Sequence, residues 1–202
     1  MTTIIGMICK DGLVLAADKR ATADFVVDKR AKKINIINDR MATLQTGVVS
    51  DCQLFTKLLR AEIRIKDLQT DRLTTAQEAA SLLAGIVYDN VRRPAMFQSI
   101  AGFLFGGRDQ LGYHLFSLGI DGSVIKSDDY VASGSGSVFA LGVLESSYKK
   151  HMSLAEGTKV AVAAVNAAVQ RDMGSGNGID VVTITERGIE KTVEKELVAR
   201  LD

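Results

Sequence analysis

Apolar residues in this chain come in two rhythms, and the alternation between them sketches the fold. Thr3-Ile4-Ile5-Gly6-Met7-Ile8-Cys9 and Leu13-Val14-Leu15-Ala16-Ala17 are continuous apolar runs on either side of Lys10-Asp11-Gly12, a hairpin-type turn. Strands that are apolar on consecutive residues need cover on both faces. The second run ends abruptly on Asp18-Lys19-Arg20, and another pair follows, Lys32 to Ile37 and Met41 to Gly47, around the turn Asn38-Asp39-Arg40. The rhythm then turns helical. From about 51 to 68, Leu54, Phe55, Leu58, Leu59, Ile63 and Ile65 form an apolar stripe expected to pack on a core. Thr75-Ala76-Gln77-Glu78 is a capping box opening a second helix, which carries Ala79, Leu82, Leu83, Ile86 and Val87 and stops before Pro94. Strands return at Gln98 to Gly107 and Gly112 to Leu118, with a turn at Asp121-Gly122-Ser123. Val131 to Ser137 leads into a helix, Val138 to Tyr148. Ser153-Leu154-Ala155-Glu156 caps an Ala/Val-rich helix reaching about Arg171. Ile179 to Thr185, a turn at Glu186-Arg187-Gly188, a last strand and a short helix close the chain. Strands, two helices, strands, two helices, strands is a segregated order. It predicts a layered α+β domain in which the helix pairs cover two stacked sheets.

The 202 residues suit one domain spanning 1–202, and 47% hydrophobic with 24% charged residues suits a packed core. A net charge of +1 gives no reason to expect nucleic acid or an anionic membrane, and no apolar run reaches the roughly 20 residues of a membrane span. Charged residues from Asp11 onward interrupt the apolar start too early for a signal peptide. Cys9 and Cys52 sit among apolar neighbours and read as buried free thiols in a reducing cytoplasm. With His114 and His151 the only histidines, a His-rich metal site or a Ser-His-Asp triad is hard to build, and nothing indicates a metal or organic cofactor.

The candidate chemistry lies at Met1-Thr2-Thr3. Thr2 has a small side chain, so methionine aminopeptidase can remove Met1, and Met1 is expected to be lost. Thr2 would then carry both a hydroxyl nucleophile and a free α-amine able to act as its base. An α-amine has an ordinary pKa near 8, and a nearby cation would raise its neutral fraction. Gly134-Ser135-Gly136 and Gly174-Ser175-Gly176-Asn177-Gly178 match neither the dinucleotide fingerprint, nor the phosphate loop, nor the nucleophile elbow. Locally they read as turns at helix ends, with Asp172 close by.

Taken together these residues resemble one family. Thr2-Thr3 with Lys10-Asp11-Gly12, Leu15-Ala16-Ala17-Asp18-Lys19-Arg20-Ala21-Thr22, Lys32-Lys33-Ile34 and Thr46-Gly47 with Asp51 are similar to proteasome β subunits of the archaeal type. So are Ala132 to Ser137, Gly142-Val143-Leu144-Glu145, Met152-Ser153-Leu154, and Arg171-Asp172 with Ser175 to Val181, in order along nearly the whole chain. The resemblance implies the N-terminal nucleophile hydrolase fold, four layers αββα, and peptide-bond hydrolysis. It implies Thr2 as nucleophile and its amine as base, Lys33 as the lysine that lowers the hydroxyl's pKa, and Asp18 as that lysine's partner. Ser135, Asp172 and Ser175 match the group that holds the amine, and the Gly47 N–H matches the oxyanion donor. Ala21, Ala31, Asn35, Gln45 and Val49 match the lining of the specificity pocket. Implied partners are other β subunits in a heptameric ring, proteasome α rings, an ATP-dependent unfoldase reached through the α ring, and unfolded polypeptide as substrate.

The sequence departs from the family pattern in four respects. The family normally carries a propeptide ending in Gly, whereas only Met1 precedes Thr2 here; self-cleavage is then unnecessary and activity depends on loss of Met1. Ile4 replaces the third family Thr, and Met173 stands where a Ser is common. Asn35 and Gln45 are more polar than the usual lining, which argues against a strong preference for large apolar residues before the cut. The alternative is a structural β subunit of the same particle that retains Met1 and has no catalytic role.

Overall fold

The computed structural model describes residues 1–197; the short helix expected after the last strand lies outside the described residues. Strands β1 (Ile4–Cys9), β2 (Gly12–Asp18), β10 (Tyr130–Ser133), β11 (Gly178–Thr185) and β12 (Gly188–Glu196) form one sheet in the order β10-β1-β2-β11-β12. Strands β5 (Ile34–Ile36), β6 (Met41–Gly47), β7 (Ala101–Asp109), β8 (Gly112–Leu118) and β9 (Val124–Ser127) form the other in sequence order, and every neighbouring pair in both sheets is antiparallel. Helices α1 (Val49–Thr70) and α2 (Ala76–Val91) cover the second sheet; α3 (Ser137–Ser147) and α4 (Leu154–Arg171) cover the first. This is the four-layer αββα sandwich of the N-terminal nucleophile hydrolases.

The continuous apolar runs have the physical cause expected of them. Side chains alternate across a strand. On β1 and β2, Ile5, Met7, Val14 and Ala16 therefore face α3 and α4, while Ile4, Leu13, Leu15 and Ala17 face the other sheet. Leu44, Leu104 and Leu115 meet them from that sheet, and Phe103, Phe105 and Phe116 turn the other way, onto α1 and α2. Every residue of β2 is buried.

Both capping boxes form, Thr75 with Glu78 and Ser153 with Glu156. The N–H of Ala76 also donates to Asp109 Oδ2 at 2.9 Å, and Asp109 Oδ1 lies 2.9 Å from His114 Nε2, so His114 is a partnered, mostly buried strand residue. Three strand features lacked a sequence signal. β9 and β10 are four residues each, and β3 (Ala21–Thr22) with β4 (Val26–Asp28) makes a two-stranded flap outside both sheets.

One expectation needs correction. The α1 stripe is two stripes. Phe55, Leu59 and Ile63, with Cys52, are buried against the sheet. Leu54, Leu58 and Ile65 are 50%, 41% and 47% exposed and, with Leu68, run along the opposite side. Spacings of four, seven and three residues keep those four on one face of a helix.

Truncating a core side chain should separate the two kinds of leucine. Leu83→Ala should lower the stability of the subunit by about 2–5 kcal/mol. Leu68→Gln, on the exposed stripe, should change it by less than about 0.5 kcal/mol. Urea denaturation of the isolated subunit measures both.

Candidate active site

Four strand ends of the first sheet meet at one edge of the sandwich. β1 begins there, with Ile4 opposite Ser133 at the end of β10 and opposite Ala17 near the end of β2. β11 begins there too, with Ile179 opposite Asp18. The second sheet brings the start of β5 and the end of β6 to the same edge, since Gln45 N–H donates to the Lys33 carbonyl at 3.0 Å. Residues from six distant stretches are therefore neighbours.

Asp18 is the hub of this edge. Its carboxylate is 1% exposed and accepts four hydrogen bonds. Oδ1 takes the Thr3 N–H at 2.9 Å and Lys33 Nζ at 2.6 Å; Oδ2 takes the Arg20 N–H at 2.9 Å and the Gly176 N–H at 3.0 Å. Lys33 is 5% exposed. Burial pushes its ammonium below the ordinary lysine range, and the attraction and hydrogen bond of Asp18 limit the fall.

A second carboxylate serves Thr2. Thr2 is 4% exposed, and its N–H donates to Ser135 Oγ at 3.1 Å. Ser135 Oγ in turn donates to Asp172 Oδ2 at 2.8 Å, and Ser175 Oγ donates to the same oxygen at 2.6 Å. Thr3 Oγ1 joins through Ser175 Oγ at 2.6 Å. Burial raises the Asp172 carboxyl, but the Ser175 and Ser135 hydroxyls and the Gly174 N–H outweigh it and leave it below the usual carboxylate range. Gly134, at φ 94°, and Gly136 lie against this segment; a Cβ on Gly134 would collide with the Thr2 carbonyl oxygen. The glycine-serine segments are thus the walls of a slot for residues 2 and 3. With Met1 attached, Thr2 Oγ1 donates to the Met1 carbonyl at 2.6 Å.

Beside Thr2 opens a cavity of about 380 Å³ whose lining includes Ala21, Ala31, Lys33, Gln45, Gly47 and Val49. Gly47, at φ 112°, closes β6 against β7, where a Cβ would strike the Ile100 carbonyl oxygen. Asn35, expected on this lining, is not on it. It stands behind Gln45, donating Nδ2–H to Gln45 Oε1 at 2.8 Å. The remaining expected residues converge: Thr2, Asp18, Lys33, Ser135, Asp172 and Ser175 are joined by the two carboxylate networks or by the cavity wall, with Gly47, Ala21, Ala31, Gln45 and Val49 around the opening.

Comparison with known proteins assigns the chain to a family. The family model described as proteasome subunit matches residues 1–184. The chain belongs to the proteasome subunit family. Among curated relatives it is 38% identical to the proteasome subunit beta of Ferroglobus placidus over 202 residues, covering 100% of this chain and 94% of that one. It is 40% identical to that of Archaeoglobus profundus over 197 residues, 97% and 90% of the two chains. With that of Methanocaldococcus jannaschii it shares 39% identity over 203 residues, 100% and 89% of the two chains. It is a proteasome core subunit of the archaeal β type, and such subunits assemble with other proteasome subunits.

The structure also shows neighbours of this edge for which the sequence suggested no role. Arg20 donates Nε–H to Asn177 Oδ1 at 2.7 Å and Nη1–H to the Met173 carbonyl at 3.0 Å, tying the 172–178 loop to the end of β2. Lys19, 3% exposed, ion-pairs with Asp180 at 3.4 Å and Glu194 at 3.3 Å behind the hub. The charged cluster Asp18-Lys19-Arg20 at a buried strand end was the available signal. Cys9 and Cys52 are buried free thiols pushed up by burial to about 11 and about 12, which leaves them inert. Among the described residues no group of three or more His, Cys, Asp or Glu is placed to hold a metal ion, and no helix is long and apolar enough to cross a membrane.

Two measurements bear on the networks. Asp18→Ala and Lys33→Met should each cost about 3–5 kcal/mol, because each leaves a buried charge unpaired, and the double variant should cost less than their sum. Urea titration of the three variants closes that cycle. Asp172 has a lowered carboxyl pKa in the fold, so its stabilisation is present above the unfolded value of about 4 and is lost as pH falls through the folded value. The stability gap between wild type and Asp172→Asn should accordingly narrow from neutrality to about pH 3.

Proposed function

We propose that this subunit is a threonine endopeptidase, cleaving unfolded polypeptides inside the particle with Thr2 as nucleophile. The observation that carries the reading is the pair of carboxylate networks on either side of residue 2, one fixing Lys33 and the other reaching the Thr2 nitrogen through Ser135. Once Met1 is gone, the Thr2 nitrogen is a primary amine beside Ser135 Oγ. It takes the proton from Thr2 Oγ1, and the oxygen attacks the scissile carbonyl carbon. The Lys33 ammonium, its charge balanced by Asp18, favours the neutral amine and the developing alkoxide. The Gly47 N–H receives the negative charge on the former carbonyl oxygen; such a donor lowers a barrier by about 3 kcal/mol. The protonated amine then gives its proton to the leaving nitrogen. Water attacks the resulting ester with the amine again as base, releasing the acyl product and restoring Thr2.

Thr2 and Thr3 are almost fully buried, and the Thr2 carbonyl accepts from the Gly136 N–H at 3.3 Å. An external peptidase therefore reaches the Met1–Thr2 bond before β1 is in place rather than after. The exposed α1 stripe, with Met96 and Phe97 at 93% and 86% exposure, suits burial between subunits. We place this subunit in a heptameric β ring between α rings, fed by an ATP-dependent unfoldase, in a cytoplasm where Cys9 and Cys52 stay reduced.

Assembled particles should hydrolyse short fluorogenic peptides, and Thr2→Ala should lower the rate by at least about 10³-fold. Intact mass should show Met1 missing and one peptide epoxyketone added per active subunit, on Thr2. Wild-type rates in Thr2→Ala would reject Thr2 as the nucleophile; native particles that retain Met1 and stay unlabelled would leave a structural subunit instead.

A further inference from the structure

The cavity beside Thr2 presents a spare hydrogen-bond donor. Gln45 is 8% exposed and lines the cavity, whereas Asn35 does not. Asn35 Nδ2–H donates to Gln45 Oε1 at 2.8 Å, so the oxygen end of the Gln45 amide is already used. Gln45 Nε2 makes no hydrogen bond among the described residues, although it is not sealed away from the cavity. Lining methyls come from Ala21, Val27, Ala31 and Val49, and no polar lining residue among those described accepts from that nitrogen. Asp28 and Lys32 both line the opening with no ion pair between them among the described residues, and Lys33 is held by Asp18.

An occupant that fills the cavity takes water from this donor, a cost that an acceptor oxygen on the occupant removes and a hydrocarbon does not. A carboxylate also brings the oxygen, but it gives up more hydration than a neutral amide to reach that donor. A volume of about 380 Å³ admits long side chains, so size does not exclude leucine or glutamine and polarity decides between them. We infer that the Asn35–Gln45 pair makes this subunit prefer a neutral, acceptor-bearing side chain, glutamine foremost, at the residue whose carbonyl Thr2 attacks. Gln45 determines the specificity, and Asn35 is the residue that positions it. This rests on the threonine-peptidase reading and goes beyond it by naming the substrate side chain.

The test uses assembled particles lacking Met1 and fluorogenic peptides that differ only before the cut, carrying Gln, Glu, Leu or Arg, with epoxyketone labelling of Thr2 followed by mass. For wild type, kcat/KM after Gln should exceed that after Leu about tenfold, the worth of one hydrogen bond to a buried donor. Gln45→Leu should invert that ratio. Asn35→Asp can only accept, so it draws Gln45 Nε2 toward itself and turns Oε1 to the cavity; cleavage after Arg should then gain on cleavage after Glu. Because ratios between peptides are read, a variant that merely folds less well lowers all rates together and does not imitate the effect. Labelled wild-type particles that cut after Leu as fast as after Gln overturn the assignment while the threonine mechanism stands. Ratios in Asn35→Asp identical to wild type remove Asn35 from it. Absence of both labelling and cleavage with every peptide overturns the assignment and the mechanism together.

Discussion

A carboxylate sealed from water needs its lone pairs filled, and at Asp18 they are filled by four donors from four different segments. Three are backbone amides, at Thr3 just before β1, at Arg20 just after β2 and at Gly176 in the loop before β11; the fourth is the Lys33 ammonium. A single buried charge therefore sets where residue 3 sits, where the 172–178 loop turns, and where the lysine nitrogen points. Without Lys33 the Asp18 charge would lack its counterion; without Asp18 the lysine could not stay charged at 5% exposure. The site's geometry and its electrostatics are one constraint.

The slot for residues 2 and 3 extends that constraint outward. Its floor is β1 pairing between β10 and β2, and its far wall is Asp172 with two serine hydroxyls on one oxygen. Small residues are obligatory where backbone meets backbone, as at Gly134 against the Thr2 carbonyl. The opening lies between sheets, so its lining is supplied mainly by β6, the flap of β3 and β4, and the start of α1. The two carboxylate networks thus belong to the first sheet with Lys33, and the cavity lining mainly to the second sheet and the flap. That division lets the pocket carry an amide while the two carboxylate networks stay intact.

Much of this was legible along the chain. Continuous apolar runs at β1 and β2 announced strands covered on both faces, and both capping boxes marked helix starts that the structure reproduces. The charged cluster after β2 and the glycine-serine segments could be singled out as unusual. Short strands escaped because four residues carry too little period to distinguish them from a loop, as with β9 and β10. The α1 stripe was read as one face because hydrophobicity alone does not tell a residue that packs on its own sheet from one left on the surface, as Leu54 and Leu58 are.

Local pattern by itself determined the layered α+β architecture, the positions of the long elements and the presence of a threonine poised near the start, because these depend on spacing between near neighbours. Only the tertiary structure decided that Asp18, Lys33 and residues 172 to 176 share one edge, that Arg20 clamps the same loop, and that Asn35 stands behind Gln45 rather than beside it. Those contacts join residues 10 to 160 positions apart. They exist because antiparallel pairing brings strand ends together, and no local period encodes which ends will meet.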